Sequence, residues 1–135
     1  MKIEHIAIWT ERLEELKAFY EKSFNAVSNE KYHNPTKQFS SYFLSFESGE
    51  RLEMMSMEGV TACDKSHAMQ VTGLAHFAFA LVFVFALGSE QAVDQLNKTL
   101  VDDGYQWIDG SRQTGDGYYE SCILDPDGNR LELTV

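Results

Sequence analysis

Positive charge is scarce in this sequence. Eleven Lys and Arg face 21 Asp and Glu, a formal net charge of −10. Nucleic-acid partners need a basic face to neutralise phosphates, so they are excluded, and anionic membrane surfaces are disfavoured on the same ground. Small anionic substrates stay open, because they respond only to local charge. Cysteine is scarce too. Cys63 and Cys122 are the two, with no CxxC, which predicts free thiols in a reducing cytoplasm. Nor is there a long hydrophobic run. The longest, Leu74–Leu87, alternates, contains a histidine and falls short of the roughly 20 residues a membrane helix needs, so it reads as strand. Met1–Thr10 is too short for a secretory leader and carries Glu4 and His5. The expectation is a cytoplasmic protein with no membrane and no nucleic-acid partner.

What is present is one plan written twice. A chain of 135 residues can bury a real core as a single unit. Lys2–Trp9 alternates with β-branched residues and predicts a strand. Thr10 is then placed to cap a helix whose apolar residues Leu13, Leu16, Phe19, Tyr20 and Phe24 fall at helical spacing. Short strands are expected at Ala26–Tyr32, Phe39–Phe46 and Arg51–Met57. The second half repeats the order. A strand at Gly73–Ala80 precedes a helix capped by Ser89, with a stripe of Val93, Leu96, Leu100 and Val101 and a left-handed Gly104 after it. Strands follow at Tyr105–Ile108, Tyr118–Leu124 and Arg130–Val135, the last behind the turn Asp125–Asn129. The class is α+β: two βαβββ modules, at 1–57 and 73–135, joined by a linker at 58–72.

Each module carries one histidine on its first strand and one glutamate on its last. His5 in IEHIAI matches His76 in LAHFAF, and Glu53 in GERLEMM matches Glu132 in GNRLELTV. Side chains alternate along a strand, so Ile6, Ile8, Leu52, Met54, Phe77, Phe79, Leu131 and Leu133 share the helix side, and the four polar residues share the other. Two imidazoles and two carboxylates suit a divalent metal, and the carboxylates cancel its charge. Nickel, cobalt, zinc, manganese and iron are all compatible with such a set. Any one of these residues alone would read as an ordinary strand side chain. The coincidence of type, module position and parity makes them a ligand set.

These residues, with the stretches IEHIAIWTERLEELKAFY, GLAHFAF and LDPDGNRLEL, resemble the vicinal oxygen chelate superfamily over nearly the whole chain. Within it the chain looks most like glyoxalase I-like and glyoxalase/bleomycin-resistance proteins. The resemblance implies a cupped mixed sheet in one domain, 1–135, and His5, Glu53, His76 and Glu132 as metal ligands. It also implies a homodimer. The reaction implied is isomerisation of a hemithioacetal of a 2-oxoaldehyde and a thiol, through an enediolate, with a lactoylglutathione lyase-like outcome. Glu132 is the expected principal base and Glu53 the other catalytic carboxylate. Glutathione-using relatives typically carry a basic residue soon after the first histidine; Trp9 stands there instead, which leaves another thiol, or none, open. Trp9 and Met55 would then contact substrate, and Arg51 and Arg130 would meet a substrate anion at the rim. An epimerase, a thiol transferase or an extradiol dioxygenase of the same superfamily is an alternative enzyme reading. A metal-free drug-binding protein is another, drawing on Trp9, Tyr42, Phe43, Tyr118 and Tyr119.

Other features carry less. His33 and His67 have no module counterpart and read as loop residues, and Cys122 reads as a buried strand thiol. Phe77–Val82 and Phe83–Gly88 form a near-tandem echo, FAFALV then FVFALG, which predicts an extended or bulged strand edge.

Overall fold

The alternating stretch before Thr10 forms strand β1, Ile6–Trp9, and the periodic stretch after it forms helix α1, Leu13–Phe24, in a computed structural model that describes residues 3–61, 74–80 and 89–135. The chain divides into two compact units, Met1–Asp64 and Lys65–Val135. Cys63, His67, most of the expected linker and residues 81–88 of the FAFALV/FVFALG echo lie outside the described residues.

In the first unit, strands β2 (Val27–Ser28), β3 (Tyr32–Asn34), β4 (Phe39–Ser45) and β5 (Arg51–Met57) complete one sheet. Its order is β1-β5-β4-β2, with β3 also paired to β4. The β1–β5 pair is parallel and β4–β5 antiparallel. Helix α1 buries Leu13, Leu16, Phe19 and Tyr20, and Leu44, Leu52 and Met54 are buried on the sheet. Each such side chain contributes about 1.5–3 kcal/mol by leaving water.

Two local expectations are corrected here. Thr10 does not cap α1. Its Oγ1 accepts a bond from the Arg12 N–H at 2.8 Å, and the cap position falls to Arg12, which makes no side-chain cap bond. The helix ends on left-handed Asn25 (φ 52°), a geometry asparagine tolerates better than most residues. The single strand expected at Ala26–Tyr32 is broken into β2 and β3. Asn29 Oδ1 accepts from the Phe43 N–H at 2.8 Å, so a side chain takes a bond that would otherwise belong to the ladder.

The second unit contains β6 (Phe77–Ala80), α2 (Glu90–Asp102), β7 (Trp107–Gln113), β8 (Tyr119–Leu124) and β9 (Arg130–Thr134). The sheet order is β6-β9-β8-β7, with β6–β9 parallel. Ser89 caps α2 as expected, its Oγ accepting from the Ala92 N–H at 3.3 Å. Beyond the helix Gly104 takes φ +94°, and the Tyr105 N–H returns to the Leu100 carbonyl at 3.0 Å. Val93 and Leu100 are fully buried, whereas Val101 is largely exposed and leaves the predicted stripe.

Strand β7 is not the expected Tyr105–Ile108. It starts later, at Trp107, and runs on through Gly110 to Gln113. The ladder shifts register on either side of Gly110, so bulges carry the strand past the glycine. The DPDGN turn is built around one buried carboxylate. Asp125 Oδ1 accepts from the N–H of Asp127 (2.9 Å) and of Asn129 (2.8 Å), and Oδ2 accepts from Asn129 Nδ2 (2.7 Å). Asp125→Ala removes all three bonds and is expected to destabilise the fold by about 1–3 kcal/mol, read as a lower urea midpoint. An unchanged midpoint would show that the turn holds without its carboxylate. Among the described residues no helix is long and apolar enough to cross a membrane.

Candidate functional site

Parallel pairing sets the same register in both units. Ala7 on β1 stands opposite Glu53 on β5, and Ala78 on β6 stands opposite Glu132 on β9. Each histidine lies two residues before its alanine, one residue ahead of its strand, and its side chain comes to the glutamate's side. The side chains meet accordingly. His5 Nε2 lies 3.7 Å from Glu53 Oε2, and His76 Nδ1 lies 3.2 Å from Glu132 Oε1. The structure therefore brings together two His–Glu pairs, one in each unit. Among the described residues, no group of three or more His, Cys, Asp or Glu side chains is placed to hold a metal ion.

The first pair is braced. His5 Nδ1 hydrogen-bonds the Glu4 carboxylate, and the other oxygen of Glu4 accepts from Arg51 Nη1. The Arg51 guanidinium lies 4.2 Å from the centroid of the Phe43 ring, and that ring meets His5 edge-on at 5.2 Å. The hydrogen bond from His5, with Arg51 behind it, holds the Glu4 carboxyl below its ordinary value. An ionised Glu4 only accepts, so His5 Nδ1 is the donor in this contact, and Nε2 is the ring nitrogen on the Glu53 side. An imidazole nitrogen and a carboxylate oxygen 3.7 Å apart are donor types that a divalent cation accepts, two from this unit.

Other predicted site residues follow the same face. Trp9 pairs with Met55 across β1 and β5, two rows beyond Ala7 and Glu53, and Trp9 is exposed, its ring 6.1 Å from Phe39. Arg51 is engaged with Glu4 and Phe43. Arg130 lies on β9 two residues before Glu132. Two aromatics expected on this face are turned to the helices instead. The Tyr42 hydroxyl donates to Glu14 Oε2 at 3.1 Å, and the Tyr119 hydroxyl donates to Asp94 Oδ1 at 3.0 Å.

Cys122 is half-buried rather than buried, and stands directly opposite Glu132. Burial pushes its thiol above the ordinary range, against the pull of Arg130, which disfavours the reactive thiolate. Glu4 is the site residue that sequence reasoning missed. Parity places it on the helix side, but β1 begins only at Ile6, so Glu4 is free of the alternation that would turn it away. An open depression of about 350 Å³, lined by Arg12, Glu15, Lys31, Ser40 and Ser56 among others, lies on the helix side of the first sheet. It is on the opposite face from His5 and Glu53 and has no part in this chemistry.

Comparison with known proteins agrees with this architecture. The chain is similar in structure to a glyoxylase/bleomycin resistance protein/dioxygenase domain from Frankia sp., at TM-score 0.78 and 14% identity, covering 100% of this chain and 97% of that one. It is similar to glyoxalase I from Zea mays, at TM-score 0.75 and 21% identity, over 98% of this chain but only 44% of that one. It is also similar to the fosfomycin resistance protein FosX from Listeria monocytogenes, complexed with Mn(II) and sulfate, at TM-score 0.72 and 16% identity, covering 99% and 91%. No curated protein sequence matches the chain. The sequence profile of one family matches residues 2–133. The chain is a member of the Glyoxalase/Bleomycin resistance protein/Dioxygenase superfamily.

Proposed function

We propose that this protein is a metal-dependent glyoxalase I-like lyase, isomerising the hemithioacetal of a 2-oxoaldehyde and a thiol. The observation that carries the reading is the repeated register, which sets a His–Glu pair at equivalent positions of both modules. His5, Glu53, His76 and Glu132 form the ligand set in this reading, for nickel or zinc in the first place and cobalt, manganese or iron otherwise. When bound, such an ion polarises the substrate carbonyl and acidifies the neighbouring C–H. Glu132 takes that proton and returns it to the adjacent carbon, and Glu53 is the second carboxylate. Trp9 and Met55 supply an apolar row that orients the substrate and keeps water away. Arg130 meets an anionic end, and Arg51 stays with Glu4.

Metal analysis of the purified protein tests this, followed by loading with nickel, zinc or cobalt and assay on methylglyoxal with several thiols. Turnover is expected to appear with metal and to vanish with a chelator. A protein that takes up none of these ions and stays inactive would refute the enzyme reading. The metal-free drug-binding alternative is weakened by Tyr42 and Tyr119, whose hydroxyls are committed to Glu14 and Asp94.

A further inference from the structure

We infer that Glu4, backed by Arg51, is a positioning residue that fixes the tautomer and orientation of His5. The inference rests on the metal-site reading above for its purpose, and on the Arg51–Glu4–His5 contacts for its substance. Three features point the same way. Glu4 uses one oxygen for His5 Nδ1 and the other for Arg51, so its carboxylate is held at both ends. Arg51 is in turn held over the Phe43 ring, and the same ring packs edge-on against His5. Finally, Phe43 stands opposite Glu53 in the β4–β5 ladder, so the ring that packs on His5 is also the cross-strand neighbour of Glu53.

An imidazole without a partner favours the Nε2–H tautomer, which would turn a proton toward Glu53. Accepting from Nδ1–H removes that proton from the ligand side. Carboxylates that orient a ligating histidine in this way typically govern metal affinity by about 10–100-fold. Arg51 thus has a role different from that expected of a rim residue waiting for a substrate anion.

The test is nitrogen NMR of the metal-free full-length chain at about pH 8, above the ordinary histidine range. The His5 signals are assigned by difference from His5→Gln. Wild type is expected to show Nδ1–H with an unprotonated Nε2. Glu4→Ala is expected to revert to Nε2–H, and Glu4→Gln, which keeps an acceptor oxygen, is expected to retain Nδ1–H in part. Glu4 is exposed, so its variants should fold, and circular dichroism verifies that. Calorimetric titration with nickel should then show Glu4→Ala binding about 10–100-fold more weakly than wild type. A wild-type His5 in the Nε2–H form, or a tautomer unmoved by Glu4→Ala, overturns the inference. So does a tautomer that switches while nickel affinity stays the same. Wild-type protein that binds no metal at all would instead count against the proposed function, and the tautomer result would stand.

Discussion

Glu132→Gln is expected to lower kcat by about 100-fold or more at saturating metal, because a positioned carboxylate contributes roughly that much to proton transfer. Glutamine keeps the shape and an oxygen for coordination but has lost the basic site. Glu53→Gln is expected to cost less. The choice between them rests on room to move. The Glu132 side chain is 26% exposed against 17% for Glu53, and a carboxylate that alternates between holding an ion and moving a proton needs that freedom. His5, the partner of Glu53, is also pinned by Glu4 and Phe43. The measurement is kcat with metal content determined in the same samples. If Glu132→Gln keeps full turnover while Glu53→Gln loses it, the two carboxylates exchange roles.

Gly110→Val is expected to destabilise the second unit by about 3 kcal/mol or more. Two costs add. Gly110 has φ +92°, where a β-branched residue is strained. A Cβ there would also lie 2.5 Å from the Glu120 carbonyl oxygen and 2.7 Å from Ser121 Cα. Both are backbone atoms of β8 and cannot swing aside as a side-chain tip would. Relief requires β7 to part from β8, next to the strand that places Cys122 opposite Glu132. The readout is the urea midpoint, together with metal affinity. A variant with a native midpoint would mean that the β7 bulges absorb the side chain, and that the close approach is not a constraint.

Much of the architecture was legible from pattern alone. Arg51–Met57 is a strand with the predicted limits, and Leu52, Met54, Leu131 and Leu133 are buried as alternation requires. Ser89 caps α2 because its hydroxyl is one of the few groups able to satisfy a free helix N–H. Asn29 and Gly110 act through a hydrogen bond and a close approach to residues distant in sequence, partners that local propensity does not record. Thr10 instead turns its hydroxyl to a neighbour two residues on, a local alternative to capping.

The same division runs through the candidate site. Residue type, spacing and strand parity by themselves grouped His5 with Glu53 and His76 with Glu132, one pair in each module, because a period of two is a property of the chain. Tertiary structure alone decided what surrounds each pair. It put Phe43 against His5, drew Arg51 onto Glu4, set Cys122 across from Glu132 and turned Tyr42 and Tyr119 toward the helices. Those neighbours come from strand register and from where a strand begins. Pairing between segments fixes both, and no single segment carries that information.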